Sequence, residues 1–296
     1  MQMWKMYKHD LTEGIGRRSV YLVLPVMISL FSCIGMHYKL VQFQRINEKL
    51  GNGTWMDYWM YFIQGGKQYK FSIFNFFEMP VRWICFYVLF LVCLNNYPMN
   101  DLKKMGTQII IRSGSRLRWW ISKFLWLVTY AVVYTGICML VVALYTLANG
   151  ASLNLHLTMS VAMVFTKKSF LLCSLLRLLC IAVVQPVLLL VLLGTIQMAL
   201  SMKISEISAF IILFAGMVIS TYKRNLVLFG NWGMPYRMFP AAKQGLDPKL
   251  CLVLLCGFIV ILFVAGYLLC NKRDILVNHQ SLLPVYHKLP LLKHLI

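Results

Sequence analysis

The feature that most constrains this chain is an apolar run from Leu250 to Cys270 that contains no charged residue. A helix rises about 1.5 Å per residue, so roughly 20 apolar residues cross the hydrocarbon of a bilayer. Comparable runs lie at 19–37, 80–94, 124–147 and 171–202, and a shorter one at 204–221 carries only Glu206 near its start. In lipid every backbone N–H and C=O must be bonded internally, which a helix does within one segment. The sequence therefore predicts an all-α, polytopic membrane protein with about six transmembrane helices.

Composition agrees. Hydrophobic residues make up 60% of the 296 and charged residues 13%, against about 25% charged in an ordinary soluble domain. The excess must face lipid. The runs read as one transmembrane domain over 1–278, followed by a tail at 279–296. The run 171–202 is too long for one straight span, so it is expected to tilt or to lay residues 169–178 along the interface. The first 18 residues are polar and no small-residue cleavage site follows the first run, so no cleavable signal is expected.

The formal charge is +20. In a soluble protein that would suggest nucleic acid. Here it suits loops beside membrane helices, where Lys and Arg meet lipid phosphates, and no nucleic-acid partner is expected. The nine cysteines form no CxxC pair and sit mostly inside apolar runs. They read as small apolar fillers, with no metal site or disulfide framework. Six spans place both termini on one side. The 29 basic residues divide almost evenly under that arrangement, so total charge does not decide orientation. The dense loop at 95–123, with six bases and the single acid Asp101, favours that loop and the termini inside.

That loop reads NNYPMNDLKKMGTQIIIRSGSRLRWWISK from Asn95 to Lys123. Pro98 sets an extended or turn start, and Asn100 or Asp101 is placed to cap a short helix. Ile109 to Ile111 supply apolar anchors, and Ser113, Gly114 and Ser115 break the helix. Trp119 and Trp120, flanked by Arg116, Arg118 and Lys123, read as an interfacial belt. From the residues alone the segment is equally a solvated basic loop or a docking surface for a cytoplasmic partner.

The pattern NYP–DL–G–Q–IRSGSR–WW–SK resembles the first cytoplasmic loop of permease subunits of bacterial, Firmicutes-type ABC-2 transporters. HDLTEGIGRR before the first run, LFGNWGMPYR before the last and CNKRDIL after it resemble that family's landmarks in the same order. The resemblance extends to about Leu276, and the tail from His279 to Ile296 has no counterpart. It implies an exporter permease fold in the cytoplasmic membrane with both termini cytoplasmic. It also implies a second permease subunit, alike or different, and separate ATPase subunits docked below. Asp101, Lys104, Gln108, Arg112, Arg116 and Arg118 would then form the coupling helix that meets the ATPase.

The chain holds no GxxxxGK[ST], and GIGRRS at Gly14 lacks both the spacing and the lysine of a phosphate-binding loop. It is not expected to be an enzyme. No histidine has HExxH spacing, and no cofactor or metal is expected. Glu78 and Arg82, four apart, read as a helical ion pair or as a substrate contact. Gln185 and Pro186 fall mid-span, where proline kinks a helix and neighbours re-satisfy the freed carbonyl. Gln197 reads as an interhelical hydrogen bonder, and Glu78, Arg82, Gln185 and Gln197 together are the candidate substrate path. The expected function is the membrane subunit of an ATP-driven exporter of a peptide, lipid or amphiphile. The alternative is an intramembrane enzyme, or a sensor or immunity protein without transport.

Overall fold

Five helical stretches are long and apolar enough to cross a membrane: Ser19–Gln44, Val81–Asp101, Arg116–Ala148, Leu175–Leu200 and Pro248–Lys272. A sixth apolar helix, Glu206–Tyr222, has 17 residues. This is the architecture of a multi-pass membrane protein. The structure, a computed structural model, describes residues 2–16, 19–46, 50–68, 77–94, 97–102, 106, 110, 115–165, 170–171, 173–239, 242 and 245–272. Among them the helices are α1 (Gln2–Leu11), α2 (Val23–Gln44), α3 (Trp55–Ile63), α4 (Val81–Leu94) and α5 (Tyr97–Asp101). Then come α6 (Arg116–Ala148), α7 (Met159–Phe165), α8 (Leu175–Leu200), α9 (Glu206–Tyr222) and α10 (Pro248–Lys272). The predicted tail at 279–296 lies outside the described residues.

The helices alternate in direction, so the bundle has two ends. At the terminal face, α1 lies against α6, with the Tyr7 hydroxyl 2.7 Å from Thr129 Oγ1. Arg116, at the start of α6, donates to the carbonyls of Cys270 (3.2 Å) and Asn271 at the end of α10. Both described ends of the chain therefore share one face. At the distal face, α3 begins beside the turn after α6, where Thr54 and Ser152 form an isolated bridge.

The third span starts earlier than the expected residue 124. The Ser115 hydroxyl accepts the N–H of Arg118 at 3.4 Å and caps α6 there, so the basic segment up to Lys123 is part of a 33-residue helix. At about 1.5 Å per residue this helix is about 50 Å long, well beyond the hydrocarbon thickness. Trp119 and Trp120 correct a second expectation. They are buried at 1% and 0% exposure, inside the bundle and not in an interfacial belt. Trp120 Nε1 donates to Phe263 O at 3.0 Å. The expected cap at Asn100 or Asp101 is also corrected, because both lie within α5.

Pro186 does what the sequence implied. It lacks an N–H and crowds the carbonyl one turn back. The helix relaxes into a π segment at Cys180–Val184, and Ala182 O accepts Trp59 Nε1 of α3 at 2.8 Å. α3 itself is held by a capping box. Thr54 Oγ1 accepts Asp57 N–H, while the Asp57 carboxylate accepts the N–H groups of Thr54 and Thr158. All nine α3 residues are buried. The interior is filled by rings. Phe62–Phe86, Phe86–Tyr134, Phe90–Tyr134, Trp126–Tyr130 and Tyr97–Trp126 stand 4.7–5.5 Å apart between centroids, with Phe90–Tyr130 at 5.9 Å.

α10 packs tightly against α6 at Gly266, where any Cβ would overlap the Trp120 indole, coming within 2.7 Å of Cη2. That ring is fully buried and cannot swing away. Overpacking of this kind costs about 1–3 kcal/mol, and each kcal/mol is worth roughly 2–4 °C at this chain length. Gly266→Val should lower the detergent melting temperature by several degrees. Gly257→Val, at an exposed position with nothing within 4 Å, should melt like the wild type.

Candidate functional site

At the terminal face three charged side chains meet out of water. Lys123 Nζ of α6 lies 2.5 Å from Asp10 Oδ1 of α1 and 2.7 Å from Asp101 Oδ2 of α5. Their exposures are 1%, 2% and 8%. One ammonium faces two carboxylates, and neutral donors complete the shell. The Tyr97 hydroxyl donates to Asp10 Oδ1 at 2.9 Å and the Ser122 hydroxyl to Asp10 Oδ2 at 2.6 Å. Trp119 Nε1 donates to Asp101 Oδ2 at 3.3 Å. The Lys123 ammonium also stands 4.5 Å from the centroid of the Tyr97 ring. Gly14 lets the turn after α1 close over this region, since any side chain there would run into the Trp126 indole. That packing accounts for Gly14; a Cβ at Gly16 would meet nothing within 4 Å.

This cluster revises the reading of the loop. Asp101 is buried against Lys123, which ties the segment to α6. Arg116 is half-buried and grips the end of α10. Arg118 is exposed on the terminal face. Lys104, Gln108 and Arg112 lie outside the described residues. The contribution of Asp10 was not legible, because it stands 113 residues from Lys123.

The distal face holds a second constellation. Arg237, in the NWGMPYR turn, is 1% exposed and pairs with no carboxylate among the described residues. It donates to the carbonyls of Ser220, Thr221 and Lys223 at the end of α9, to Gly66 O at 3.1 Å and to Asn231 Oδ1. The end of a helix carries partial negative charge, which a buried cation complements. Burial lowers the Arg237 guanidinium to about 10, with Arg224 adding to the effect, so it stays charged at neutral pH. The sequence offered only a faint signal for it, an arginine among turn residues.

Beside this turn a cavity of about 230 Å³ opens between the end of α3 and the start of α4. Arg82 lines it, stacked on Tyr61 with its guanidinium carbon 3.6 Å from the ring centroid. The expected Glu78–Arg82 helical ion pair does not form, because α4 begins only at Val81 and leaves Glu78 in the preceding coil. Gln185 and Gln197 do not line this cavity. Gln185 is fully buried and donates to Pro248 O of α10 at 2.6 Å. Gln197 borders a space of about 10 Å³ with Pro98 and Trp126, room for about one water. The four residues read as one substrate path are thus not brought together.

Compared with known protein families, residues 26–276 match the family described as "Protein of unknown function (DUF2705)". The chain belongs to the DUF2705 family. No curated protein and no solved structure matches it. The family match of this DUF2705 protein begins within α2 and runs through α10, so Asp10 lies outside it while Lys123 and Asp101 lie within.

Removing one partner of a buried ion cluster costs about 3–5 kcal/mol, because the others stay charged without compensation. In this DUF2705 protein Lys123→Met should lower the melting temperature sharply and make α1 sensitive to protease. The triple variant Asp10→Asn, Asp101→Asn, Lys123→Met should recover much of the loss. A Lys123→Met variant that melts like the wild type would show that the cluster holds nothing.

Proposed function

We propose that this chain is the transmembrane subunit of an ATP-driven transporter of the ABC-2 type, working beside a second permease subunit. Separate ATPase subunits dock on the terminal face, which lies in the cytoplasm, and the Glu206–Tyr222 helix serves as the sixth span. The cargo is a peptide, lipid or amphiphile moved outward. The order of landmarks along the sequence supports this reading. The observation that carries it is the buried Lys123–Asp10–Asp101 cluster, which joins the segment after α4 to both α1 and α6. A docking segment can transmit a push only if it is rigidly joined to what it moves. A solvated basic loop has no need of a buried salt bridge at its root.

In this reading Arg118 meets the ATPase, and Arg116 and Asp101 hold the segment in shape. A desolvated charge pair across an interface is worth about 2–5 kcal/mol on truncation, which is at least tenfold in affinity. Arg118→Ala should therefore cut ATPase co-purification at least tenfold while the melting temperature stays unchanged. The purified chain alone should release no phosphate from ATP above a detergent blank. Hydrolysis by the isolated chain, or the failure of any Walker-motif ATPase to co-purify with the wild type in mild detergent, would refute the assignment.

A further inference from the structure

The cavity at the distal face is built for a ligand in three ways. First, α4 begins there after Pro80, with no acidic residue in its first turn; the Val81 N–H is taken by Met79 O, and the N–H groups of Arg82 and Trp83 are left open among the described residues. The opening N–H groups of a helix have no carbonyl one turn back, and they carry partial positive charge. Second, Arg82 presents its guanidinium in the same space. Stacking on Tyr61 fixes its plane, and no hydrogen bond or ion pair takes its N–H groups among the described residues. A planar fork of this kind suits two oxygens of one anion. Lys39 Nζ adds positive charge 5.9 Å from the centroid of the Tyr61 ring. The nearby acid, Glu78, is exposed and makes no ion pair with Arg82 among the described residues. Third, Gln64 lines the cavity at 7% exposure, and its Oε1 has no partner. Its backbone is already committed, the N–H to Met60 O and the carbonyl to the N–H of Tyr236. A buried amide oxygen in that position calls for a donor.

An anion alone would satisfy Arg82 and the helix start and leave Gln64 unsatisfied. A phosphate ester with a free hydroxyl satisfies all three. We infer that this cavity binds the phosphoglycerol headgroup of an anionic phospholipid, the phosphate on Arg82 and the start of α4 and a glycerol hydroxyl on Gln64. The cavity lies at the end of a membrane-spanning helix, where headgroups reside, and exposed Met79 and Val81 border it on the side where acyl chains would leave. The site stands whether or not the chain transports anything.

The test uses the purified full chain in a neutral detergent. Melting temperature and native mass spectrometry are followed with short-chain phosphatidylglycerol, with phosphatidylcholine of the same chain length and with glycerol 3-phosphate. The wild type should gain several degrees with phosphatidylglycerol and retain it in the gas phase, and phosphatidylcholine should do neither. Arg82→Gln should weaken the effect at least tenfold, and Gln64→Leu by severalfold. Lys249→Gln, an exposed base at the same face, should change nothing. Glycerol 3-phosphate acting alone at the same concentrations, with the same dependence on Arg82 and Gln64, would assign the site to a soluble phosphate ester and overturn the lipid. Equal response to both lipids, or phosphatidylglycerol binding unchanged in both variants, would remove the site altogether. The unliganded melting temperature of each variant separates lost binding from lost folding.

Discussion

A lysine ammonium buried between two carboxylates sets how this chain is put together. An unpaired charge in a low-dielectric interior costs several kcal/mol, so Lys123 is tolerable there only if Asp10 and Asp101 come to it together. Those residues lie on three separate elements, α1, α5 and α6. Once they meet, α1 is fixed against the long helix, and the chain leaving α4 must turn beneath it. The arrangement of the terminal face then follows. Tyr97 and Trp119 supply donors to the carboxylates, and Arg116, one turn from Trp119, closes the end of α10.

The distal face is organised differently, around carbonyls. Pro186 frees Ala182 O, and Trp59 takes it. The end of α9 exposes its last carbonyls, and Arg237 takes them. In both cases a backbone acceptor that could not be left bare in lipid finds a side-chain donor from a neighbouring segment. Ion pairing governs one face and helix-end capping the other, and each holds a segment that is not itself a long span.

The spans were legible because apolar runs of membrane length have few alternative explanations. The start of α6 was not, because the bases and tryptophans from Arg116 to Lys123 match the usual signature of an interface. What placed Trp119, Trp120 and Lys123 inside was a helix longer than the membrane, with other helices packed around its extension. The expected ion pair of Glu78 and Arg82 assumed a helix that already contains Glu78, three residues before α4 begins. Asp10 and Arg237, both outside the long spans, gave little local signal, because their partners are remote in sequence or are backbone atoms. Gln185 was read as part of a substrate path, but its bond to Pro248 O makes it a fastener between α8 and α10. Lys104, Gln108 and Arg112 lie in stretches that the structure does not describe.

The aromatic column has one more consequence. From Trp59 through Phe86, Tyr134, Phe90, Tyr130 and Trp126 to Tyr97, ring contacts occupy the axis of the bundle from one end towards the other. A packed stack of rings leaves no lumen, and protein interiors do not open one without repacking. Among the described residues the space between α3, α4 and α6 is therefore filled. If the chain serves transport as proposed, its cargo passes beside this stack and not through it, along a seam that a second subunit or the lipid completes.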